Sequence, residues 1–193
     1  AGNADPTPAS FEWSIDTTTP ESQINTNPTA LSASAEAKFT FSAADGSGSG
    51  LASFECRLDS SEAAGWAACA SPKAYLSLSD GPHKFEVRAI DLAGNVDPTP
   101  AVFSWNIDTT GPNTQIDSHP AALSASASTA FAFSGSDGSG SGVASFQCRR
   151  DSSEPSGWVA CASPQAYASL ADGHHEFEVR AIDQAGNVDQ SPA

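Results

Sequence analysis

The stretch "HKFEVRAIDLAGNVDPTPAVFSWNID", residues 83–108, decides how this chain folds. Its first part alternates, with Phe85, Val87 and Ala89 set against Lys84, Glu86 and Arg88. A period of two belongs to a strand that keeps one face on a core and the other in water. The turn former "LAGN" at 92–95 follows. Phe103, Trp105 and Ile107 then alternate with Ser104 and Asn106, which predicts a second strand.

The same stretch exposes a repeat. "AGNADPTPASFEWSID" opens the chain at residues 1–16, "AGNVDPTPAVFSWNID" recurs at 93–108, and "AGNVDQSPA" begins the phrase again at 185–193. The period is 92 residues and holds without an insertion: residues 16–101 and 108–193 share 59 identities in 86 positions. Trp66 matches Trp158, Tyr75 matches Tyr167, and Cys56 and Cys69 match Cys148 and Cys161. A unit this long is a small domain with its own core rather than a solenoid repeat.

Within one copy, alternation recurs. "FEWSI" sets Phe11, Trp13 and Ile15 against Glu12 and Ser14, "KFTF" puts Phe39 and Phe41 on one face, and "ASFECRLD" does the same for Phe54, Cys56 and Leu58. Turn signals separate these runs: "DGSGSG" at 45–50, "DSSEAAG" at 59–65 and "SDG" at 79–81. "ALSASAEAK" at 30–38 has some helical propensity, but its counterpart "ALSASASTA" has less, so both read as loop leading into strand. About seven short strands at this spacing predict an antiparallel sandwich.

The run "YLSLSDGPHKFEVRAIDLAGNVDPTPAVFSWNIDTTGP" at 75–112 resembles the end of a bacterial immunoglobulin-like repeat of large surface adhesins and extracellular proteins. In that family the pattern spans the penultimate strand and its hairpin turn, and a final strand ends in Asp. "DTTxP" then leads into the next domain. The resemblance covers both copies and implies an all-β fold of two tandem immunoglobulin-like antiparallel β-sandwiches plus an N-terminal strand. The expected division is 1–15 for that strand, 16–108 for the first domain and 109–193 for the second, which lacks its own last strand. The resemblance also implies a spacer or scaffold rather than a particular ligand.

Cys56 and Cys69, and likewise Cys148 and Cys161, fall on consecutive predicted strands joined by a polar turn. Their spacing lacks the CxxC pairs of a zinc site. One disulfide per domain is expected, and with it an oxidising, extracellular or cell-surface setting.

Charge narrows the partners. The net charge is −15, from 23 acidic and 8 basic residues, which argues against nucleic acid and against anionic membrane surfaces. No apolar run approaches the roughly 20 residues of a membrane span, so no membrane insertion is expected. Only 16% of residues are charged, below the roughly 25% usual for a globular domain, and turn formers abound; both suit an all-β chain.

No residue set asks for an enzyme. No "GxSxG" occurs, and no Ser–His–Asp set repeats across the copies. Asp45, Ser47, Ser49 and Gly50 of "DGSGSG" occupy positions 1, 3, 5 and 6 of a calcium loop, but the twelfth position is Cys56 rather than Glu. The loop therefore reads as a glycine turn with no tight metal site and no cofactor. Weak calcium binding at the domain junctions would draw on Asp16 or Asp91 with Asp97. His83 and His175 match each other and read as caps of the preceding turn. Trp66 and Trp158 read as covers for the disulfides, with stacking on a sugar as the alternative.

The expected function is a structural subunit or segment of an extracellular bacterial filament or adhesin stalk. The rival is an adhesion module that binds carbohydrate or a host protein. Phe11, Trp13 and Ile15 repeat the spacing of Phe103, Trp105 and Ile107, which suggests a donor strand that completes the second domain of another copy, head to tail. Two alternatives stay open. The domains begin at "FEWSI" and each is self-sufficient, or the chain is a piece of a longer array.

Overall fold

The computed structural model describes residues 1–193 throughout. The chain is all-β and has no α-helix. The first sequence copy supplies β1 (Glu21–Thr26), β2 (Leu31–Ser32), β3 (Ala37–Ala44), β4 (Leu51–Leu58), β5 (Ala67–Cys69), β6 (Lys73–Tyr75), β7 (Gly81–Asp91) and β8 (Ala101–Ile107). The second supplies β9 (Asn113–Ser118), β10 (Thr129–Ser136), β11 (Val143–Arg150), β12 (Val159–Cys161), β13 (Gln165–Tyr167) and β14 (Phe177–Asp183).

Strand order in the first copy is β1-β3-β6 in one sheet and β2-β8-β7-β4-β5 in the other. The second copy repeats the first of these as β13-β10-β9 and has a three-stranded sheet, β12-β11-β14, in place of the five-stranded one. A three-stranded sheet of β1, β3 and the short β6, with the remaining strands in a second sheet, is the strand order of an immunoglobulin-like sandwich. β4 pairs antiparallel with β7 and β11 with β14, whereas β2 runs parallel to β8, with Leu31 opposite Asn106. No helix of the chain is long and apolar enough to cross a membrane.

The chain separates into two compact units. One comprises Ala1–Asn27, Lys38–Lys73 and Lys84–Phe103, the other Pro28–Ala37, Ala74–His83 and Ser104–Ala193. In the first unit the alternating residues of β3, β4 and β7 form the core: Phe39, Phe41, Cys56, Phe85, Val87 and Ala89 are buried. Phe39 stacks on Phe85 with ring centroids 4.1 Å apart, and Phe41 meets Phe54 edge-on at 5.1 Å. In the second unit Phe133, Cys148 and Val179 are the buried centre, with Ile116, Phe131, Phe146 and Phe177 packed around them.

Both expected disulfides are present. Cys56–Cys69 and Cys148–Cys161 each join the paired strands of a hairpin, with Cα atoms 5.8 Å apart. Closing a loop of about 14 residues contributes roughly 3 kcal/mol by restricting the unfolded chain.

The expected N-terminal strand does not form. Residues 1–20 carry no strand, and Phe11, Trp13 and Ile15 are 81%, 72% and 80% exposed. Their counterparts Trp105 and Ile107 in β8 are 3% and 2% exposed. The sequence pattern is that of a strand, but a strand needs a paired edge to bond its backbone.

Candidate functional site

The polar groups that the fold brings together are three: a carboxylate cluster in each unit, a bonded connecting segment, and an Arg–Trp–Glu ladder on the outer sheet face.

The first cluster is Asp16, Asp45 and Asp91, with one carboxylate oxygen from each lying within 4.8 Å of the others. The register explains the meeting. Asp45 opens the "DGSGSG" loop, β4 begins directly after it, and Leu51 pairs with Asp91 at the end of β7. The loop is tied down from both sides: Gly50 N donates to Asp45 Oδ2 at 2.7 Å, Leu92 N donates to the Gly50 carbonyl at 2.8 Å, and Ala93 N donates to Ser49 Oγ at 3.0 Å. Glycine at 48 is required, because a Cβ there would collide with the Asp45 carboxylate. Ser49 N donates to Asp16 Oδ2 at 2.5 Å and Thr18 N to Asp16 Oδ1 at 2.9 Å. Hydrogen bonds from Ser49 and Thr18 hold the Asp16 carboxyl below the usual carboxylate range. Asn95 donates through N and Nδ2 to the two oxygens of Asp91, at 2.7 and 2.8 Å, and Nδ2 also reaches the Asp16 carbonyl at 3.2 Å.

The second cluster, Asp108, Asp137 and Asp183, repeats the arrangement, with Gly186 N as a further donor to Asp183 Oδ1 at 2.7 Å. Gly142 N donates to Asp137 Oδ2 at 2.7 Å and Ser141 N to Asp108 Oδ2 at 2.6 Å. Asn187 donates through N and Nδ2 to Asp183, both at 2.8 Å. Burial opposes ionisation of Asp108, but the hydrogen bonds from Ser141 and Thr110 outweigh it and keep the carboxyl below its ordinary range.

Sequence reasoning singled out Asp45, Asp16 and Asp91 but grouped the last two with Asp97. Asp97 lies elsewhere. Its Oδ2 accepts from Ser22 N at 2.9 Å and its Oδ1 from Thr99 N at 2.8 Å, so it fastens β1 to the turn.

The segment 108–112, which leads from one sequence copy into the next, lies wholly within the second unit. Asp80 Oδ1 accepts from Thr109 N at 3.0 Å and from Thr109 Oγ1 at 2.8 Å, and Asp80 Oδ2 accepts from Thr110 Oγ1 at 3.1 Å. Asn187 Nδ2 donates to the carbonyls of Asp108 and Thr110 at 2.8 and 3.3 Å. Gly111 approaches so closely that a Cβ would sit 2.9 Å from the Val188 carbonyl oxygen. These bonds hold the segment in place within the second unit.

On the sheet face Glu55 opposes Arg88 and Arg57 opposes Glu86 across β4 and β7. Arg57 grips Glu86 through Nε at 2.6 Å and Nη2 at 2.9 Å, and this bond lowers the Glu86 pKa. The guanidiniums of Arg57 and Arg88 lie 4.5 and 4.3 Å from the Trp66 ring. Trp158 has the same partners, Arg149 and Arg180, at 4.6 and 4.3 Å. The partners of each Trp are thus arginines, and cation–π contact holds the ring down. The signal for this ladder was in the sequence, in the opposite charges at facing positions of two adjacent strands.

The histidines do cap turns. His83 Nε2 lies 2.8 Å from the Ser79 carbonyl oxygen and His175 Nε2 lies 2.9 Å from that of Ala171. His175 Nδ1 also meets Asp151 Oδ2 at 2.8 Å, but its other nitrogen faces a carbonyl and not a serine hydroxyl.

No family model matches the chain, and no curated protein does. Solved structures to which it is similar include the fibronectin(III)-like modules of Clostridium thermocellum CbhA, at 14% identity over 90% of each chain with a TM-score of 0.48. The chicken CNTN1 FN1–FN3 domains match at 12% identity over 91% of this chain and 64% of theirs, TM-score 0.45. A structure from a 1.5-MDa bacterial ice-binding adhesin matches at 11% identity over 89% of this chain and 61% of that one, TM-score 0.43.

Proposed function

We propose that this chain is a structural, non-enzymatic segment of an extracellular bacterial adhesin stalk or filament, in which tandem immunoglobulin-like modules act as a stiff spacer. The observation that carries the reading is the connector 108–112, bonded by Asp80 on one side and Asn187 on the other. A connector with its backbone bonded in this way suits a spacer, which has to hold its length. The two disulfides support an oxidising, extracellular setting. NMR relaxation of the whole chain tests this: the two sequence copies are expected to share one rotational correlation time. Independent tumbling would overturn the spacer reading. The rival adhesion module predicts specific binding on a glycan array that is lost on Trp66→Ala or Trp158→Ala.

Our finer proposal is that chains join head to tail. The exposed Phe11, Trp13 and Ile15 of one copy would add as a strand to β14 of another, where Ala193 already pairs with Val179 through two 3.0 Å hydrogen bonds. A groove of about 660 Å³ beside that edge is lined by Phe131, Tyr167, Leu170 and Phe177 among others, which gives the apolar side chains a place to bury. A synthetic peptide spanning residues 9–16 is expected to bind the chain lacking residues 1–16. Absence of binding, or assembly of the shortened chain, would refute strand addition.

A further inference from the structure

The two carboxylate clusters share a feature that hydrogen bonding within the fold does not use. Asp45 is 8% exposed, and its Oδ1 has no solvent contact and no hydrogen-bond partner. The equivalent atom, Asp137 Oδ1, is also shut off from solvent and without a partner. A buried carboxylate oxygen without a partner is costly, and a native fold keeps one where something outside the protein chain completes it. Here each such oxygen belongs to a trio whose oxygens lie within 4.8 Å of one another. Three like charges at that separation repel strongly in a partly buried setting. Glycine at 48 and 140 leaves room for the carboxylate in this position, since a Cβ at either would collide with Asp45 or Asp137. Both copies keep the trio and its unpartnered oxygen although 27 of the 86 aligned positions differ (86 less 59 identities).

We propose that each trio binds one calcium ion, Asp16, Asp45 and Asp91 in the first site and Asp108, Asp137 and Asp183 in the second. The ligand atoms are hard oxygens, with no His or Cys among them, which excludes the softer transition metals as the preferred guests. Oxygens that already accept one backbone N–H keep a second lone pair for a cation. Calcium accepts six to eight oxygens in flexible geometry, so carboxylates carried by a loop, a strand end and a connecting segment suit it. Magnesium demands a near-ideal octahedron and holds its water, and it suits such a site less well. The ion would join three parts of the chain far apart in sequence. In the second site one ligand, Asp108, starts the segment 108–112, so calcium would fasten the start of that segment to the second unit.

The test is calcium titration of the chelator-stripped, full-length chain by calorimetry. Two ions per chain are expected, with dissociation constants on the order of 10⁻⁴ to 10⁻³ M, as in extracellular modules. Asp45→Asn and Asp137→Asn should each leave one site and the double variant none; an amide oxygen keeps the bond from Gly50 or Gly142, so the fold should persist. A readout on the unaltered chain guards against misfolding of the variants: the amide signals of Ser49, Gly50 and Asn95, and of Ser141, Gly142 and Asn187, should shift as calcium is added. The proposal is overturned by absence of saturable binding up to about 10 mM calcium, well above the range for extracellular modules. It is equally overturned by two sites surviving in the double variant, or by shifts confined to other residues. Equal midpoints for magnesium and calcium would overturn the choice of ion.

Discussion

The two sequence copies share 59 of 86 aligned residues, yet one builds a five-stranded sheet and the other a three-stranded one. In the first, Phe39 and Phe85 are completely buried, β7 runs for 11 residues, and β8 adds Trp105 and Ile107 to the buried set. In the second, the equivalent stacked pair Phe131 and Phe177 is only half-buried, β14 runs for 7 residues, and Leu123 is 94% exposed where its counterpart Leu31 pairs in β2. The core residues compared, Phe39 and Phe131, Phe85 and Phe177, and Val87 and Val179, are the same in both copies, so the difference lies in what pairs with the strand edge. In the first copy β8 lies along the edge of β7, whereas β14 is the end strand of its sheet.

The largest expected effect follows from that contrast. Phe85→Ala should destabilise its module by about 3–5 kcal/mol, the usual range for emptying a buried Phe site, and Phe177→Ala by about half as much. Chemical denaturation followed by signals from each copy measures both; equal losses would break the comparison.

A smaller difference is expected in the ion pairs. The Glu86 side chain is 6% exposed and that of Glu178 is 25% exposed. Arg57→Ala strands a buried carboxylate and should cost about 2 kcal/mol after allowance for screening at the rim, with a lesser loss for Arg149→Ala. Hydrogen bonds from the arginines lower the pKa of both glutamates. The stabilisation is therefore fully present above the unfolded-state value of about 4.3 and is lost as pH falls through the lower folded value. Acid titration of the variants should show a flatter loss than the parent chain.

How much of this could be read beforehand depends on strand length. β3, β4, β7 and β8 each run for seven residues or more, enough for alternation to register. β2, β5 and β6 have two or three residues, too few to show a period, and the parallel β2–β8 pairing has no local signal. The carboxylate trios were half legible. "DGSGSG" drew attention to Asp45, but Asp16 and Asp91 reach it only through the pairing of β4 with β7, which a linear sequence does not state. Asp97 sits near Asp91 in sequence and misled for that reason.

The smallest expected effect is local to the second copy. The carbonyl of Ala171 and the carboxylate of Asp151 raise the His175 pKa above its ordinary value. Its contribution is full below the unfolded value of about 6.5 and disappears as pH rises through the higher folded value. A slight loss of stability between pH 6 and 8 is expected in the second copy, absent in His175→Gln; an unchanged pH profile in that variant would remove His175 from the account.

Native-state hydrogen exchange at the connector tests the spacer reading most directly. The amide of Thr109 donates to Asp80 and that of Thr110 to Asp108, so both should exchange as slowly as amides within the neighbouring strands. Asp80→Ala should release Thr109 while leaving the strand amides of β7 protected. Exchange of Thr109 and Thr110 at the rate of an unstructured peptide in the parent chain would contradict a fixed connector, and with it the function proposed for the molecule.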